Sequence, residues 1–117
     1  MAKQAQVIGT LKCRDTQKVL RFFKERGVIA HFLDLNQKGL SKGELTNISR
    51  NIPLDDLIDK ESKEYKKRNM QYMVFSVEES LLENSLLLKT PITRYGNKAI
   101  LGFDTGKLEA LVKEIKQ

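Results

Sequence analysis

Two short apolar segments separated by one amphipathic segment open the chain, and their order restricts the fold more than any other feature of the sequence. Gln6–Thr10 and Val28–Leu35 are apolar over strand-like lengths, so both are predicted to be strands. The residues between them are predicted to form a helix. Two strands joined by a helix normally lie parallel, with a right-handed crossover. The sequence therefore predicts an opening βαβ unit.

The helix of this unit has recognisable ends and one apolar face. Asp15 or Thr16 is expected to cap its start, because short polar side chains accept hydrogen bonds from the free amide groups of a first turn. Gly27 follows Lys24-Glu25-Arg26 and is a typical stop signal. The face that we expect to pack on the sheet consists of Val19, Leu20, Phe22 and Phe23.

The end of the chain carries a second clear pattern. Lys89–Tyr95 and Lys98–Phe103 are predicted to be strands, and only Gly96-Asn97 separates them. Both of these residues tolerate positive φ, so the pair predicts a hairpin. A last helix is predicted from about Thr105 to Ile115, with Leu108, Leu111, Val112 and Ile115 on one face. Together the two units predict an α/β protein with a four-stranded mixed sheet.

The residues between the two units are predicted to be helical, as a helical insertion of about 40–88 in a single domain of residues 1–117. Ser41–Glu44 and Ser76–Glu79 each fit a capping box, in which a serine and a glutamate satisfy each other's free amide groups. Each box predicts the start of a helix. The helix that follows the second box is expected to end near Leu88.

The insertion also contains a charged stretch and an apolar one. Charges of both signs alternate over 60–68, and we expect an exposed helical face there. The alternative is that this face binds an acidic partner through its cations, which are Lys63, Lys66, Lys67 and Arg68. The apolar residues that follow are expected to pack in the core. They are Met70, Tyr72, Met73, Val74 and Phe75.

Composition limits the class of protein and its partners. A chain of 117 residues, 40% of them hydrophobic and 31% charged, suits one soluble domain. No apolar run reaches the roughly 20 residues that span a bilayer, so no membrane partner is expected. The net charge of +6 suits an acidic partner, but no Arg-rich tract indicates direct contact with nucleic acid. One cysteine and no apolar leader favour a reducing cytoplasm.

The single cysteine, Cys13, lies where the first strand is predicted to meet the first helix. The positive end of the helix dipole favours negative charge there, and Lys12 and Arg14 flank the thiol. These charges favour a thiolate, which is the nucleophilic form. An inert buried cysteine is the alternative. A lone cysteine and a lone histidine, His31, give no metal-binding pattern, so no metal is expected.

These elements and their order resemble the thioredoxin fold, and several motifs resemble the arsenate reductase family in its glutaredoxin-linked branch, which includes the Spx regulators. The motifs are Cys13-Arg14-Asp15-Thr16, Leu57-Ile58-Asp59-Lys60, Tyr65-Lys66, Leu86-Leu87-Leu88-Lys89-Thr90-Pro91-Ile92 and the Gly96-Asn97 hairpin ending at Leu101-Gly102-Phe103. The resemblance implies that Cys13 is the nucleophile and that Thr16 donates to its sulfur. It also implies a cis peptide bond before Pro91, and a pocket shaped by Thr90 and Pro91 beside the thiol.

The resemblance further implies three arginines that bind the oxyanion in arsenate reductases. The matching positions of this chain hold Asp59, Thr90 and Gly102 instead. Four other cations offer partial compensation, namely Lys12, Arg14, Lys89 and Arg94, of which Lys89 and Arg94 are possible anion-binding residues. Lysine replaces a bidentate arginine poorly, and Asp59 would repel arsenate. Efficient arsenate reduction is therefore not expected.

Two functions remain open at this point. In the first, the protein is a monothiol oxidoreductase without a bound cofactor, and glutathione or a glutaredoxin resolves the mixed disulfide on Cys13. In the second, it is an Spx-like regulator that binds the α subunit of RNA polymerase or another protein. Gly102-Phe103-Asp104 resembles the Spx proteins, but Thr16 stands where they carry a second cysteine, so an internal disulfide switch is excluded.

Overall fold

Strands and helices alternate at both ends of the chain and enclose a run of short helices. The computed structural model describes residues 5–117. In chain order the elements are β1 (Ala5–Gly9), α1 (Arg14–Glu25), β2 (Ala30–Asp34), α2 (Lys42–Ser49), α3 (Leu54–Leu57), α4 (Lys63–Lys67), a 3-10 turn (Met70–Tyr72), α5 (Val77–Glu83), a second 3-10 turn (Ser85–Leu87), β3 (Ile92–Tyr95), β4 (Lys98–Leu101) and α6 (Thr105–Lys116). The predicted βαβ and ββα units are confirmed.

The four strands form one mixed sheet in the order β2-β1-β3-β4. β1 pairs in parallel with β2, whereas the β1–β3 and β3–β4 pairs are antiparallel. The parallel β1–β2 pairing follows from the helical crossover through α1, and the antiparallel β3–β4 pairing from the short Gly96-Asn97 turn, where Gly96 has φ +60. The predicted four-stranded mixed sheet is confirmed, with the thioredoxin-like strand order centred on β1 and β3.

Each face of the sheet has its own hydrophobic core, because successive strand residues point to opposite faces. Val7 points into a core formed with α1 and α6, where the predicted apolar faces of both helices are packed. Ile8 and Ile92 point into the other core, which the insertion covers. The main side chains that the insertion contributes are Leu45, Ile48, Leu57, Leu81 and Leu87.

The strands are shorter than predicted, since neighbouring residues bond elsewhere. Val28 donates its N–H to the carbonyl of Phe23, which closes the end of α1 rather than extending β2. Lys89 donates to the Leu57 carbonyl at 2.7 Å, so the residues before β3 pair with the insertion. Gly102, with φ +80, ends β4.

Two helix predictions in the insertion are wrong in extent. α5 ends at Glu83, and not near Leu88, because Asn84 is extended, with φ −142, and its side chain accepts from the N–H of Leu86 to start a separate 3-10 turn. α4 begins only at Lys63, since the Ser62 side chain caps it by accepting from the N–H of Tyr65. The predicted capping box at Ser41–Glu44 is complete. At Ser76 only half of the predicted box forms: the Ser76 side chain accepts from the Glu79 N–H at 3.3 Å, but the Ser76 N–H does not bond to the Glu79 side chain.

The apolar stretch after α4 is buried only in part, which contradicts its prediction as core. Met70 is buried, but Tyr72, Met73 and Val74 are 84%, 54% and 105% exposed. Asn69 adopts a left-handed conformation, with φ 54, and reverses the chain so that Met70 points inward while the following residues point to solvent. None of the helices in residues 5–117 has the length and apolar composition needed to cross a membrane.

Candidate active site around Cys13

Cys13 occupies the N-cap position of α1. Its N–H donates to the Thr10 carbonyl at 3.2 Å, and its own carbonyl accepts the first helical hydrogen bond, from Gln17, at 3.1 Å. The helix therefore begins at Arg14, and the prediction that Asp15 or Thr16 caps it is wrong. The thiol is half-buried, and no side chain caps the free amide groups of the first turn. Those groups remain available to the sulfur.

The pKa of Cys13 lies below its ordinary value of 9.0. Burial raises this pKa, but hydrogen bonds to the sulfur from the side chains of Thr16 and Thr90, and from the backbone N–H groups of Thr16 and Asp15, outweigh burial. The charges of Lys12 and Arg14, both exposed, are not among the causes. The direction agrees with the prediction of a lowered pKa. Its causes include the predicted contribution of Thr16 and donors of the first turn, but not the flanking charges.

Thr16 lies beneath the sulfur and is completely buried. Its hydroxyl has no hydrogen-bond partner of ordinary geometry in the described residues, yet its position lowers the pKa of Cys13. Both observations agree if the hydroxyl is unsatisfied beside the thiol and donates once the sulfur is ionised. A buried, unsatisfied hydroxyl costs free energy in the thiol form and so favours ionisation.

Gly9 makes room for Thr16. A Cβ atom at Gly9 would overlap the Thr16 hydroxyl and would lie 2.9 Å from its methyl group. Gly9 ends β1, so the absence of its side chain lets the first turn of α1 approach the sheet. The sequence analysis missed this role of Gly9, although a glycine that ends an apolar strand is a recognised sign of close backbone approach.

Thr90 and Pro91 lie on the other side of the sulfur. The Cys13 thiol donates to the Thr90 carbonyl at 3.7 Å, and the Thr90–Pro91 peptide bond is cis, as predicted. Pro91 is buried, and its carbonyl accepts from the N–H of Gly102 at 2.8 Å, which fixes this segment to the end of β4. The two residues predicted to shape the pocket are thus placed beside the thiol.

A cavity of about 260 Å³ opens next to Thr90. Thr10 and Lys12 line it from the β1–α1 connection. The insertion supplies the opposite wall, with Asp59, Ser62, Lys63, Glu64 and Leu86. Two cations and two anions thus share the cavity, and no arginine of the described residues lines it. Sequence analysis missed the roles of Lys63 and Glu64, because their alternating charges were interpreted as an exposed face.

The two candidate anion-binding residues do not line this cavity. Lys89 is half-buried, and its backbone is bonded to Leu57. The Arg94 guanidinium donates to Asn47 at 3.1 Å and to Gln6 at 2.6 Å, and it forms an ion pair with Glu44 at 3.7 Å. These bonds direct Arg94 towards α2 and away from the thiol.

A half-exposed thiol at the start of α1, a cis-proline before β3 and the mixed sheet define a thioredoxin-like protein with one candidate nucleophile. A model of the ArsC family matches residues 9–111, so the chain belongs to the ArsC family. No curated protein sequence matches the chain.

Solved structures share the fold over nearly the whole chain. The YffB protein has a TM-score of 0.82 at 17% identity, covering 92% of this chain and 98% of its own. An arsenate reductase from Vibrio cholerae has a TM-score of 0.76 at 15% identity, covering 97% and 98%. A glutaredoxin from Archaeoglobus fulgidus has a TM-score of 0.50 at 19% identity, covering 97% and 88%. At these identities the likeness demonstrates the fold alone.

Proposed function

We propose that this protein is a monothiol oxidoreductase in which Cys13 is the nucleophile. The observation that carries the proposal is the N-cap position of Cys13, which leaves the free amide groups of the first turn of α1 available to a sulfur that also contacts the Thr90 carbonyl. The pKa of this thiol lies below its ordinary value. The thiolate attacks one sulfur of a disulfide and forms a mixed disulfide, and the other sulfur leaves as a thiolate. Thr90 and Pro91 hold the substrate beside the sulfur.

Glutathione or a glutaredoxin is the proposed reductant. Cys13 is the only cysteine of the sequence, so a second thiol from outside must attack the mixed disulfide and release Cys13 as a thiolate. The new disulfide then joins the sulfur of the attacking thiol to the sulfur that was bound to Cys13. The protein needs no bound cofactor for this cycle. We place this cycle in the reducing cytoplasm, where glutathione remains a thiol donor.

Efficient arsenate reduction is not part of the proposal. The cavity offers Lys12 and Lys63 to an oxyanion, but Asp59 and Glu64 line the same space and repel it. Lysine ammonium groups also lack the planar fork with which arginine binds an oxyanion through two hydrogen bonds. We expect no turnover of arsenate in a coupled assay with glutathione and glutaredoxin.

The test of this function is the formation and resolution of a mixed disulfide. The protein is treated with glutathione disulfide, and intact mass spectrometry should show one glutathionyl group on Cys13 that reduced glutathione removes. Cys13→Ser is the control and should remain unmodified. Absence of the adduct on the wild-type protein, or an alkylation profile with the pKa of a free thiol, would contradict the proposal.

A regulatory function is the second candidate, and the exposed residues Tyr72, Met73 and Val74 favour it. Contiguous exposed apolar side chains commonly mark protein interfaces, and Lys66 and Lys67 of α4 precede them with exposed positive charge. In this case the protein binds the α subunit of RNA polymerase or another acidic surface. Calorimetry with purified α subunit tests it: Val74→Ser should weaken binding, and absence of heat with the wild-type protein would exclude this partner.

A further inference from the structure

We propose that Asp59 is a specificity-determining residue, which favours disulfides that carry an ammonium group over disulfides that carry only carboxylates. The inference rests on the disulfide exchange proposed above and names the substrate class of that site. Asp59 lies in the insertion. The inference follows from its position, from the absence of an ion-pair partner within residues 5–117, and from the other charges in the cavity.

The position of Asp59 is fixed relative to the thiol. Ile58 and Leu88 form an antiparallel bridge, and the Asp59 N–H donates to the Leu87 carbonyl at 2.7 Å. The segment that this bridge anchors continues directly to Thr90, whose carbonyl accepts the Cys13 thiol. Asp59 therefore does not lie on a loose loop. It lines the cavity that Thr90 also lines, and Thr90 connects this cavity to the Cys13 sulfur, which does not itself line it.

The Asp59 carboxylate is only partly satisfied. One of its oxygens, Oδ1, accepts from the Glu61 N–H at 3.0 Å, and no cation of residues 5–117 lies within ion-pair distance. Glu64, the other acid of the cavity, differs in this respect. It accepts from Asn84 at 2.9 Å and pairs with Arg68 at 3.6 Å. Asp59 is thus the acid in this cavity whose charge remains available to a ligand.

The two cations of the cavity do not neutralise Asp59. Lys12 and Lys63 line the same space, but neither forms an ion pair within residues 5–117. Separate positive and negative positions suit a zwitterionic disulfide, whose ammonium group faces Asp59 while a carboxylate faces a lysine. A disulfide that carries only carboxylates would meet Lys12 and Lys63 as opposite charges but Asp59 as a like charge, so we expect Asp59 to lower the rate with such a disulfide.

Asp59→Asn tests this assignment with little structural disturbance. Asparagine keeps a side-chain oxygen for the Glu61 N–H and removes the charge. Asp56→Asn is the matched control: Asp56 lies on α3, is exposed and does not line the cavity, so this variant removes the same charge from the same segment. Any effect of net charge alone would appear in both variants.

The experiment measures second-order rates of Cys13 with three disulfides: cystamine, which carries ammonium groups, dithiodipropionate, which carries carboxylates, and uncharged hydroxyethyl disulfide. Rates with the uncharged disulfide correct each variant for any change in thiol ionisation. Asp59→Asn should lower the corrected cystamine rate by about fivefold and raise the corrected dithiodipropionate rate, as expected for one charge pair near a protein surface. Asp56→Asn should change both by less than about twofold.

The possible failures are distinguishable. If hydroxyethyl disulfide reacts normally but Asp59→Asn leaves both corrected rates unchanged, the specificity assignment is wrong and the proposed oxidoreductase function stands. If Asp56→Asn shifts the rates as strongly as Asp59→Asn, the effect comes from net charge and the assignment is also wrong. If none of the three disulfides reacts with the wild-type protein, both proposals fail.

Discussion

Replacement of Thr16 by valine should make the protein more stable and its thiol less acidic. Valine has nearly the shape of threonine, so the change removes only the hydroxyl from a completely buried position. That hydroxyl has no partner of ordinary geometry in the described residues, and it lowers the pKa of Cys13. We interpret the two findings as a hydroxyl that is unsatisfied beside the neutral thiol and donates to the thiolate. One substitution therefore removes a penalty from the thiol state and a stabilising hydrogen bond from the thiolate state.

The expected size of the pKa change follows from the free energy of the hydrogen bond between the Thr16 hydroxyl and the thiolate. A hydrogen bond to a charged group contributes roughly 1.5–3 kcal/mol, and the low end applies to a sulfur that is half-exposed. About 1.4 kcal/mol corresponds to an approximately tenfold smaller thiolate fraction below the pKa. The remaining thiolate is intrinsically more nucleophilic, so the rate of disulfide exchange should fall by only about threefold.

Where the thiol is protonated, Thr16→Val should stabilise the protein, although the same change disfavours the thiolate. Removal of a buried, unsatisfied hydroxyl should raise the free energy of unfolding by about 1 kcal/mol in mildly acidic buffer. In the wild-type protein a lowered pKa adds stability as the pH rises through the folded value, and this contribution is complete above the ordinary value of 9.0. The advantage of Thr16→Val should therefore shrink over that interval.

Thr93→Val is the matched control, since Thr93 is also completely buried and its hydroxyl also has no partner in the described residues. It should stabilise the protein in the same way and leave the Cys13 pKa unchanged, because Thr93 is not among the groups that shift it. Ultraviolet absorbance of the thiolate and denaturant unfolding measure the two quantities. An unchanged Cys13 pKa in Thr16→Val would refute the role of the hydroxyl, and a fall in stability would refute its unsatisfied state.

Two further predictions concern residues that hold the site and the insertion in place. Gly9→Ala should destabilise the protein by about 1–3 kcal/mol and raise the Cys13 pKa, because the new Cβ overlaps Thr16. A chemical denaturation curve measures the stability and an alkylation profile measures the pKa. A wild-type stability and a wild-type pKa would contradict the close contact. Burial raises the pKa of Glu44, but hydrogen bonds from Ser41 and Gln6 and the charge of Arg94 bring it below its ordinary 4.5. The stability that ionised Glu44 contributes is present above about pH 4.5 and is lost as the pH falls through the pKa of the folded protein. Glu44→Gln should therefore make stability less dependent on pH in this acid range. An unchanged dependence would count against the bonds of Glu44 with Ser41, Gln6 and Arg94.

The fold was predictable because its evidence is local and repeated. The period of the apolar residues in α1 and α6, and the Gly96-Asn97 turn, each depend on neighbouring residues only. The errors in extent arose where a backbone N–H bonds outside the predicted element, either to a distant carbonyl or to a nearby side chain. Lys89 bonds to Leu57, and Leu86 bonds to Asn84 in place of a helical carbonyl, so β3 starts late and α5 ends early.

The candidate nucleophile could be chosen from the sequence, but most of the residues that surround it could not. Cys13 stood out as a lone cysteine between a strand and a helix, and the resemblance supplied Thr90 and Pro91. The approach of Gly9 to Thr16 and the position of Asp59 depend on packing between segments far apart in sequence. The same applies to Arg94, which looked free as a strand residue but is bonded to Asn47 and Gln6.

Reactivity and selectivity belong to different parts of this molecule. The groups that lower the Cys13 pKa, among them Thr16 and Thr90, lie in the first turn of α1 and in the segment before β3, whereas Asp59, Lys63 and Glu64 of the insertion line the cavity. None of these three insertion residues is among the causes of the Cys13 pKa shift. Under the proposed function, changes in the insertion should therefore alter which disulfides react with Cys13 while the Cys13 pKa stays the same.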